Sequence, residues 1–391
     1  MHVIWNQQLM KKENKSLCLS LIKNNSPISR ATIAQQSGLT KGTVSSLVSE
    51  LIEEQLIYES GHGESSGGRR PVMLLFNQHA GYSIGIDLGV NYILGILTDL
   101  QGTAIYQYNE QYEHLTYKET LERIKKAISI LIENAPKSPY GIIGIGIGAP
   151  GVINMAGDIL LAPNLGWKNT QLKKQLEEEF HLPVLIENEA NAGAYGEKRF
   201  GFGQSFQNLI YVSAGVGIGA GIIINGELYK GNNGYSGEFG HMMIQKDGMP
   251  CSCGNNGCWE QYASEKYLIT KANELNLGLK KEIHLVHLIE LANKGNMEAI
   301  NLFHEIGDNL GTGIINIIHI FNPQQIIIGN RLTLAKKWIE PRLKKVINNH
   351  TLSFQQSELN IHFSDDNFPS SALGVAAFST ENFLRFILQP N

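Results

Sequence analysis

The sequence predicts an α/β fold preceded by a small helical domain, and three features support this. Three short helical patterns precede Leu56, and each has an apolar face. From Tyr82 onward, short apolar strands alternate with amphipathic helices, which is the pattern of an α/β architecture. The alternation occurs twice along the chain, which indicates two lobes with a cleft between them.

The helical patterns at the N-terminus predict a helix-turn-helix. The first helix covers about residues 15–24. The second begins after Ser29, which suits an N-cap, and ends near Gly38, which suits a C-terminal stop. The third follows the N-cap Thr40 and carries an apolar stripe at helical spacing, formed by Val44, Leu47, Val48, Leu51 and Ile52. Two short helices joined by such a turn are typical of this motif.

A β-ribbon follows the third helix and makes the motif a winged helix. Its strands are Leu56–Glu59 and Pro71–Phe76, and its glycine-rich tip runs from Gly61 to Arg70. We expect the third helix to enter the major groove of DNA and the tip to reach a minor groove. The candidate DNA-binding residues are Arg30, Lys41, Thr43, Ser45, Ser46, Ser49, Arg69 and Arg70. The alternative is that this module binds protein, because winged helices also serve that purpose.

The larger domain begins near residue 79. Its first lobe contains predicted strands at 83–87, 93–99, 141–148 and 184–187, and helices at about 116–134 and 170–180. Its second lobe contains strands at 209–213, 219–224 and 325–329, and long helices between about 284 and 321. We therefore expect a winged-helix domain over residues 1–78 and a two-lobed domain over 79–391. The first lobe covers about 79–190 plus a C-terminal helix at about 371–388, and the second covers about 191–370.

Charge and composition limit the classes of protein that fit. The formal net charge is −4, which argues against a chain that coats nucleic acid along its whole length. The first 80 residues nevertheless contain eight Lys or Arg against six Asp or Glu, so the positive charge lies at the N-terminal end. The sequence has no apolar run long enough to span a bilayer and no signal-peptide pattern at its start. We therefore expect a cytoplasmic protein with no membrane partner.

Three of the four cysteines form a cluster that predicts a metal site. Cys251, Cys253 and Cys258 lie within eight residues, and His241 lies ten positions before the first of them. Three thiolates and one imidazole can complete a tetrahedral zinc site. Four protein ligands leave no open position, so the expected Zn²⁺ is structural. The alternative is three reduced, free thiols in a loop.

These motifs together resemble the ROK family, which contains repressors and sugar kinases. The resemblance rests on Gly237–His241 followed by Cys251–Glu260, and on the run Ile186–Asn191, which is similar to the sugar-binding motif of the family. It covers essentially the whole chain, and the segments 65–73 and 187–197 are similar to repressors of the family. The resemblance implies a two-lobed, actin-like sugar-kinase fold behind the winged helix. It also implies that a sugar binds to Asn188, Glu189, Glu238, His241 and Glu260.

The same resemblance implies that sugar-kinase activity is absent. Glu189 stands where the kinases have an Asp that acts as general base, and the extra methylene displaces the carboxylate. The first phosphate loop, Asp87–Asn91, lacks the second glycine and the hydroxyl of the kinase pattern. The second loop, Ser213–Gly221, has alanine and valine where a threonine would hold phosphate, and Asn330 replaces a glycine.

The sequence therefore predicts a repressor that a sugar releases from operator DNA. The resemblance favours D-xylose as the sugar, with glucose as a competitor, and a homodimer or higher homo-oligomer as the DNA-bound form. Two alternatives stay open. The chain could be an active sugar kinase with an added DNA-binding domain, or a repressor that a protein partner controls while its sugar site is vestigial.

Overall fold

The computed structural model describes residues 7–62, 71–113, 115–275, 277, 283–365 and 367–388. Within this part of the chain, a winged-helix domain precedes two lobes, each built on a five-stranded sheet. The predicted α/β fold with an N-terminal winged helix is confirmed. Among the described residues, no helix is long and apolar enough to cross a membrane.

The winged-helix domain folds as its capping residues predict. Its elements are α1 (Gln7–Asn25), β1 (Ile28–Ser29), α2 (Arg30–Ser37), α3 (Lys41–Glu53), β2 (Ile57–His62) and β3 (Val72–Phe76). The Ser29 and Thr40 side chains accept hydrogen bonds from the first turns of α2 and α3, and Gly38 ends α2 with φ of 72°. Because a left-handed φ suits glycine, this residue allows the sharp turn between the two helices.

The first lobe contains the strands and helices that lead to the cleft. Its elements are β4 (Tyr82–Leu88), β5 (Tyr92–Asp99), β6 (Ala104–Gln111), α4 (Tyr117–Glu133), β7 (Ile142–Ala149), β8 (Val152–Ile153), β9 (Ile159–Ala162), β10 (Trp167–Thr170), α5 (Leu172–Phe180), β11 (Val184–Asn188) and the C-terminal helix α13 (Ser370–Ile387). The sheet order is β11-β7-β4-β5-β6, and β8, β9 and β10 form a separate small sheet. A capping box between Thr116 and Glu119 begins α4 at the predicted start of the helix.

The second lobe repeats the arrangement of the first. Its elements are α6 (Glu189–Phe200), β12 (Leu209–Ala214), β13 (Ile218–Ile224), β14 (Glu227–Leu228), α7 (Glu260–Ala263), α8 (Glu265–Glu274), α9 (Leu285–Asn293), α10 (Met297–Phe321), β15 (Gln325–Gly329), α11 (Lys336–His350), α12 (Ser353–Gln356) and β16 (Asn360–Phe363). Its sheet order is β14-β13-β12-β15-β16. In both sheets the first strand pairs antiparallel with the second and parallel with the fourth, so the two lobes share one topology.

Helices α6 and α13 pack against each other between the two lobes. Their backbones come close at Gly196 and Gly374, where an added Cβ atom would lie 1.9 Å from a carbonyl oxygen of the other helix. Helix α6 packs on β12 and β13 of the second lobe, while α13 packs on β4 and β7 of the first. The crossing therefore joins the two lobes.

The winged helix shares a hydrophobic core with the first lobe. Cys18 and Ile22 of α1 pack in one cluster with Leu100, Ile143 and the end of α13. The Tyr140 hydroxyl also donates a hydrogen bond to the Glu54 carbonyl oxygen over 2.7 Å. The winged helix is thus packed onto the lobe rather than joined to it by the chain alone.

The first helix is the clearest departure from the predicted elements. Helix α1 begins at Gln7, about two turns before the predicted start at residue 15. The extra turns lie beside α3, where Lys11 forms a 2.7 Å ion pair with Glu50. Periodicity missed them because this segment has few apolar residues and is held to α3 partly by charge. Most of the predicted wing tip, including Arg69 and Arg70, lies outside the described residues.

Candidate functional site

A cavity of about 100 Å³ lies in the cleft between the lobes, at the N-terminal end of α6. The structure brings all five residues predicted to bind sugar to its wall: Asn188, Glu189, Glu238, His241 and Glu260. One water molecule needs about 10–15 Å³ of such space, so the cavity has the scale of a small monosaccharide.

Asn188 reaches the cavity but also caps a helix. Its side-chain oxygen accepts hydrogen bonds from the backbone N–H groups of Ala190 and Asn191, over 2.9 and 3.2 Å. Its amide donates to the Gly151 carbonyl oxygen over 2.9 Å. An amide NH₂ has two hydrogens, so one N–H of Asn188 stays available to a ligand. The capping role explains why this residue stands where β11 ends and α6 begins.

Glu189 occupies a buried position with a strongly perturbed carboxyl group. Burial, with a smaller contribution from the nearby Asp87, raises its pKa to about 7. Its Oε1 accepts a 3.1 Å hydrogen bond from the Ser213 hydroxyl, which in turn accepts a 2.9 Å hydrogen bond from the Asn330 amide. These hydrogen bonds join the first helical residue of α6 to β12 and to the residue that follows β15 in the second lobe.

The cysteine loop has the geometry of a tetrahedral metal site. The ligand atoms of His241, Cys251, Cys253 and Cys258 all lie within 4.8 Å of one another. Cys253 Sγ and Cys258 Sγ are 3.7 Å apart, and Cys251 Sγ is 3.7 Å from His241 Nδ1. Two sulfur ligands about 2.3 Å from a tetrahedral zinc lie about 3.8 Å from each other, so the four groups fit such an ion. The cluster could therefore hold a metal ion.

His241 connects the cysteine loop to the cavity. Its Nδ1 faces Cys251, whereas its Nε2 lies 3.9 Å from Glu238 Oε2 on the cavity wall. Glu260 Oε1 lies 3.1 Å from Cys251 Sγ. Next to Glu260, the fully buried Trp259 donates a 2.8 Å hydrogen bond to the Asn309 carbonyl oxygen of α10. The cysteine loop thus contacts both His241 and Glu260 of the cavity wall, and Trp259 anchors the end of the loop in the hydrophobic core.

The Tyr92 ring covers Gly89 in the first predicted phosphate loop. The sequence alone did not identify this residue. A Cβ atom added to Gly89 would lie 2.0 Å from the Tyr92 ring, so the ring packs directly on that glycine. The Tyr92 hydroxyl donates a 3.0 Å hydrogen bond to Asp87 Oδ2. Burial raises the pKa of the Asp87 carboxyl to about 6. The only available signal was an aromatic residue placed directly after the loop.

Asn164 is a second residue of the cavity that the sequence analysis missed. It lies in the 3₁₀ turn Pro163–Leu165 and lines the same cavity. Glu260 Oε2 and Asn164 Nδ2 would lie 3.1 and 3.4 Å from a Cβ atom on Gly217, so both rest on the second glycine-rich loop. A polar residue before the turn glycine Gly166 was the available signal, but a loop asparagine alone is too common to interpret.

The predicted DNA-binding face of α3 is largely exposed. Lys41, Ser45, Ser46 and Ser49 are exposed, while Val44, Leu47, Val48 and Leu51 on the opposite side are buried. Thr43 is half-buried, and its hydroxyl lies 2.9 Å from the Thr40 hydroxyl of the helix cap.

Arg30 is engaged within the winged helix. It donates a 2.8 Å hydrogen bond to Glu59 of β2, so a phosphate contact would require it to exchange that partner. An open groove of about 590 Å³ between α1 and α3 extends the exposed face toward Lys11 and Asn14. The extra turns of α1 therefore flank the exposed face of α3.

The fold and site together define a winged-helix DNA-binding module joined to a domain of the sugar-kinase type. The description "Winged helix-turn-helix DNA-binding" matches residues 19–58, and "ROK family" matches residues 83–382. The chain belongs to the ROK family.

Named relatives extend over nearly the whole chain. It is 44% identical over 384 residues to the xylose repressor of Bacillus spizizenii, covering 98% of this chain and 99% of that protein. A crystal structure of a ROK family transcriptional regulator, homolog of the E. coli MLC protein, matches with a TM-score of 0.81 at 26% identity, over 97% and 98% of the two chains. A ROK family glucokinase from Streptomyces griseus, in complex with glucose and AMPPNP, matches with a TM-score of 0.70 at 28% identity, over 77% and 100%.

Proposed function

We propose that this protein is a transcriptional repressor that a monosaccharide, D-xylose, releases from operator DNA. The observation that carries the proposal is the convergence of Asn188, Glu189, Glu238, His241 and Glu260 on one cavity of monosaccharide scale. Carboxylate, amide and imidazole groups suit a ligand whose hydroxyls each donate and accept hydrogen bonds. The 44% identity to a protein named xylose repressor supports the choice of sugar.

The four-ligand cluster supports a structural zinc ion in this mechanism. The zinc would be held by His241, Cys251, Cys253 and Cys258, and it would fix the loop that carries Glu260. It would also orient the imidazole so that Nε2 faces the cavity. The residues of the chain, rather than the ion, then contact the sugar hydroxyls.

Two contacts on the nucleotide side support a binding role rather than a kinase role. Tyr92 covers Gly89 in the first loop, and Arg331 is bound through two hydrogen bonds to Glu265, over 2.7 and 3.0 Å. A bound phosphate chain would have to displace the Tyr92 ring from Gly89 and separate Arg331 from Glu265. We infer that the chain binds a sugar without transferring phosphate to it.

Release from DNA follows from the way the parts are packed. Sugar contacts Asn188 at the end of β11 in the first lobe and Glu238 in the second lobe, so binding draws the lobes together. Because α6 crosses α13, and the end of α13 packs in the core of the winged helix, closure changes the position of that module. In a homodimer this alters the distance between two α3 helices that read successive half-sites.

A gel-shift titration of the zinc-loaded chain tests the proposal. D-xylose should weaken binding to the operator, while L-xylose should leave it unchanged because its hydroxyls have the mirror-image arrangement. Glu238→Gln should reduce the response without reducing the affinity for DNA in the absence of sugar. Unchanged DNA affinity at saturating D-xylose contradicts the proposal, and steady ATP consumption with the sugar would identify a kinase instead.

A further inference from the structure

The loop that follows β14 reaches from the second lobe across to the first. It covers residues 229–238, which we call the crossing loop, and its last three residues, Ser236, Gly237 and Glu238, line the sugar cavity. The Ser236 backbone N–H donates to the Lys230 carbonyl oxygen over 3.3 Å, and the Ser236 hydroxyl donates to the Tyr229 carbonyl oxygen over 2.6 Å. These bonds close the loop, so a contact made at Lys230 bears directly on the position of Glu238.

The crossing loop is seated on β13 of its own lobe. The Tyr229 N–H donates to the Ile222 carbonyl oxygen over 2.8 Å, and the Ala220 N–H donates to the Gly237 carbonyl oxygen over 3.2 Å. Gly237 has φ of 90°, and a Cβ atom there would lie 2.1 Å from the Ala220 carbonyl oxygen. Glycine at this position lets the backbone lie against the strand, so the base of Glu238 is fixed to the second lobe.

Lys230 ties the crossing loop to the first lobe. Its Nζ forms an ion pair with Glu187 Oε2 of β11, and it lies 5.6 Å from the centre of the Phe378 ring of α13. Both of these partners belong to the first lobe, and a cation over an aromatic ring is itself a favourable contact. The loop also approaches β8, because a Cβ atom on Gly234 would lie 3.3 Å from the Ile153 carbonyl oxygen. The crossing loop therefore bridges the two lobes through a charged contact and a backbone contact.

The buried Glu187 holds a residue of the sugar cavity as well as Lys230. Its Oε1 accepts hydrogen bonds from the Asn188 backbone N–H and from the Asn191 side-chain amide, each over 3.0 Å. Its other carboxylate oxygen is the one that pairs with Lys230. A carboxylate removed from water needs such partners, since an unpaired buried charge is costly. One carboxylate thus fixes Asn188 of the first lobe and, through Lys230, the loop that carries Glu238.

We propose that Lys230 is a positioning residue for the sugar, which it affects through its ion pair with Glu187 and not by direct contact. Among the described residues that line the sugar cavity, neither member of the pair is present. The ion pair favours the arrangement in which Asn188 and Glu238, on opposite lobes, stand at the spacing that the sugar bridges. Without it, a smaller fraction of molecules has this spacing before the sugar binds, and the affinity falls by that fraction. This inference rests on the proposed function, because it concerns how the same cavity holds its monosaccharide.

Calorimetry on the full-length, zinc-loaded chain tests this role of Lys230 with D-xylose as the probe. Lys230→Met keeps most of the length of the side chain and removes its charge, so we expect the affinity for D-xylose to fall by about tenfold. Lys230→Arg keeps the charge and should bind D-xylose within about threefold of the parent chain. Lys271→Met is the matched control and should change nothing, because Lys271 pairs with Glu274 inside α8 and joins no lobes. In gel shifts, Lys230→Met should need about tenfold more D-xylose for release from the operator.

A double-mutant cycle separates the ion pair from a general loss of structure. Glu187→Gln keeps the shape of the buried side chain, and Lys230→Met/Glu187→Gln leaves neither charge without its partner. If the two residues act as a pair, the double variant should bind D-xylose no more weakly than Lys230→Met. Because the Lys230 side chain is 34% exposed, its own variants decide the matter even if Glu187→Gln fails to fold.

The outcomes distinguish this inference from the proposed function. Unchanged affinity of Lys230→Met for D-xylose would overturn the inference and leave the proposed function standing. The same holds for losses that multiply in the double variant, or for a Lys230→Arg variant as weak as Lys230→Met. Absence of D-xylose binding by the parent chain would overturn the proposed function and the inference together.

Discussion

The pKa of Glu189 in the cleft lies well above the ordinary value of a glutamate, so a change of pH near neutrality alters its charge. Burial, with help from Asp87, raises its pKa from 4.5 to about 7. The ionised carboxylate is the form that accepts hydrogen bonds from sugar hydroxyls without donating any. The affinity for sugar should therefore rise as the pH increases from 6 to 8, through the pKa of this group.

Isothermal calorimetry at several pH values measures this effect. Near pH 6 most of Glu189 is protonated, so we expect affinity to fall by up to about tenfold for each pH unit below 7. Glu189→Gln should bind more weakly and lose most of the pH dependence in this range. A dependence of equal size in that variant would assign the titration to another group, such as Asp87.

The residue scale also shows what the sequence could predict about the site. Cys251, Cys253, Cys258 and His241 were recognisable because metal ligands occur in short, fixed spacings, and the structure brings them together as predicted. Tyr92 was not recognisable, since its role depends on the ring lying against a glycine three positions earlier. The prediction that Asn188 serves the site gave no sign that its side chain also caps a helix, and the structure shows that both places are compatible.

At the scale of elements, the cysteine loop should be separable from the DNA-binding module. The loop contacts the cavity through Glu260 and the core through Trp259, whereas the winged helix packs on the first lobe. Removal of the proposed zinc ion with a chelator should therefore abolish sugar binding and leave the affinity for operator DNA within about threefold.

Tryptophan fluorescence and gel-shift measurements check this separation. Trp259 is fully buried, so loosening of the loop should shift its emission to longer wavelength. Cys253→Ser, which removes the exposed ligand of the cluster, should reproduce the result without a chelator. Equal loss of DNA and sugar binding would mean that the loop supports the whole fold.

Helix α6 links the sugar cavity to the winged helix. It begins at Glu189, and its last residues, Arg199 and Phe200, share a small cavity of about 30 Å³ with Lys23 of α1 and Glu381 of α13. Burial, followed by the charge of Arg199, lowers the pKa of Lys23. We therefore propose that a change at the Glu189 end of α6 alters the charge and packing around Lys23 of α1.

Lys23→Met tests this connection. The apolar side chain keeps the length of lysine and removes a partly desolvated charge, so we expect unchanged or higher thermal stability. The variant should bind sugar and operator DNA separately as the parent does, but D-xylose should weaken its DNA binding several-fold less. Lys12→Met, on the same helix near its start, is the matched control. A full response to D-xylose in Lys23→Met would contradict a role for this contact.

At the scale of the whole molecule, the sequence predicted the parts better than their packing. Alternating strands and helices indicated two lobes, and the two sheets indeed share one order and one pattern of pairing. The joint between α1, Tyr140 and the end of α13 could not be predicted, because it combines residues far apart in the chain. The apolar residues at the end of α13 give the same sequence pattern whether they pack on their own lobe or on another domain.

Because the winged helix packs on the sugar-binding domain, sugar and DNA bind to one coupled structure. The factor by which each ligand changes the affinity for the other must therefore be equal. If D-xylose weakens operator binding by a given factor, operator DNA must weaken D-xylose binding by the same factor. A change from nearly full to nearly empty operator requires about 10⁴-fold coupling, or about 5.5 kcal/mol of differential sugar affinity. Calorimetric titration of D-xylose into free and operator-bound protein, compared with gel shifts with and without sugar, measures both factors. Factors that differ beyond experimental error would mean that sugar and DNA act on different forms of the protein, such as different oligomers.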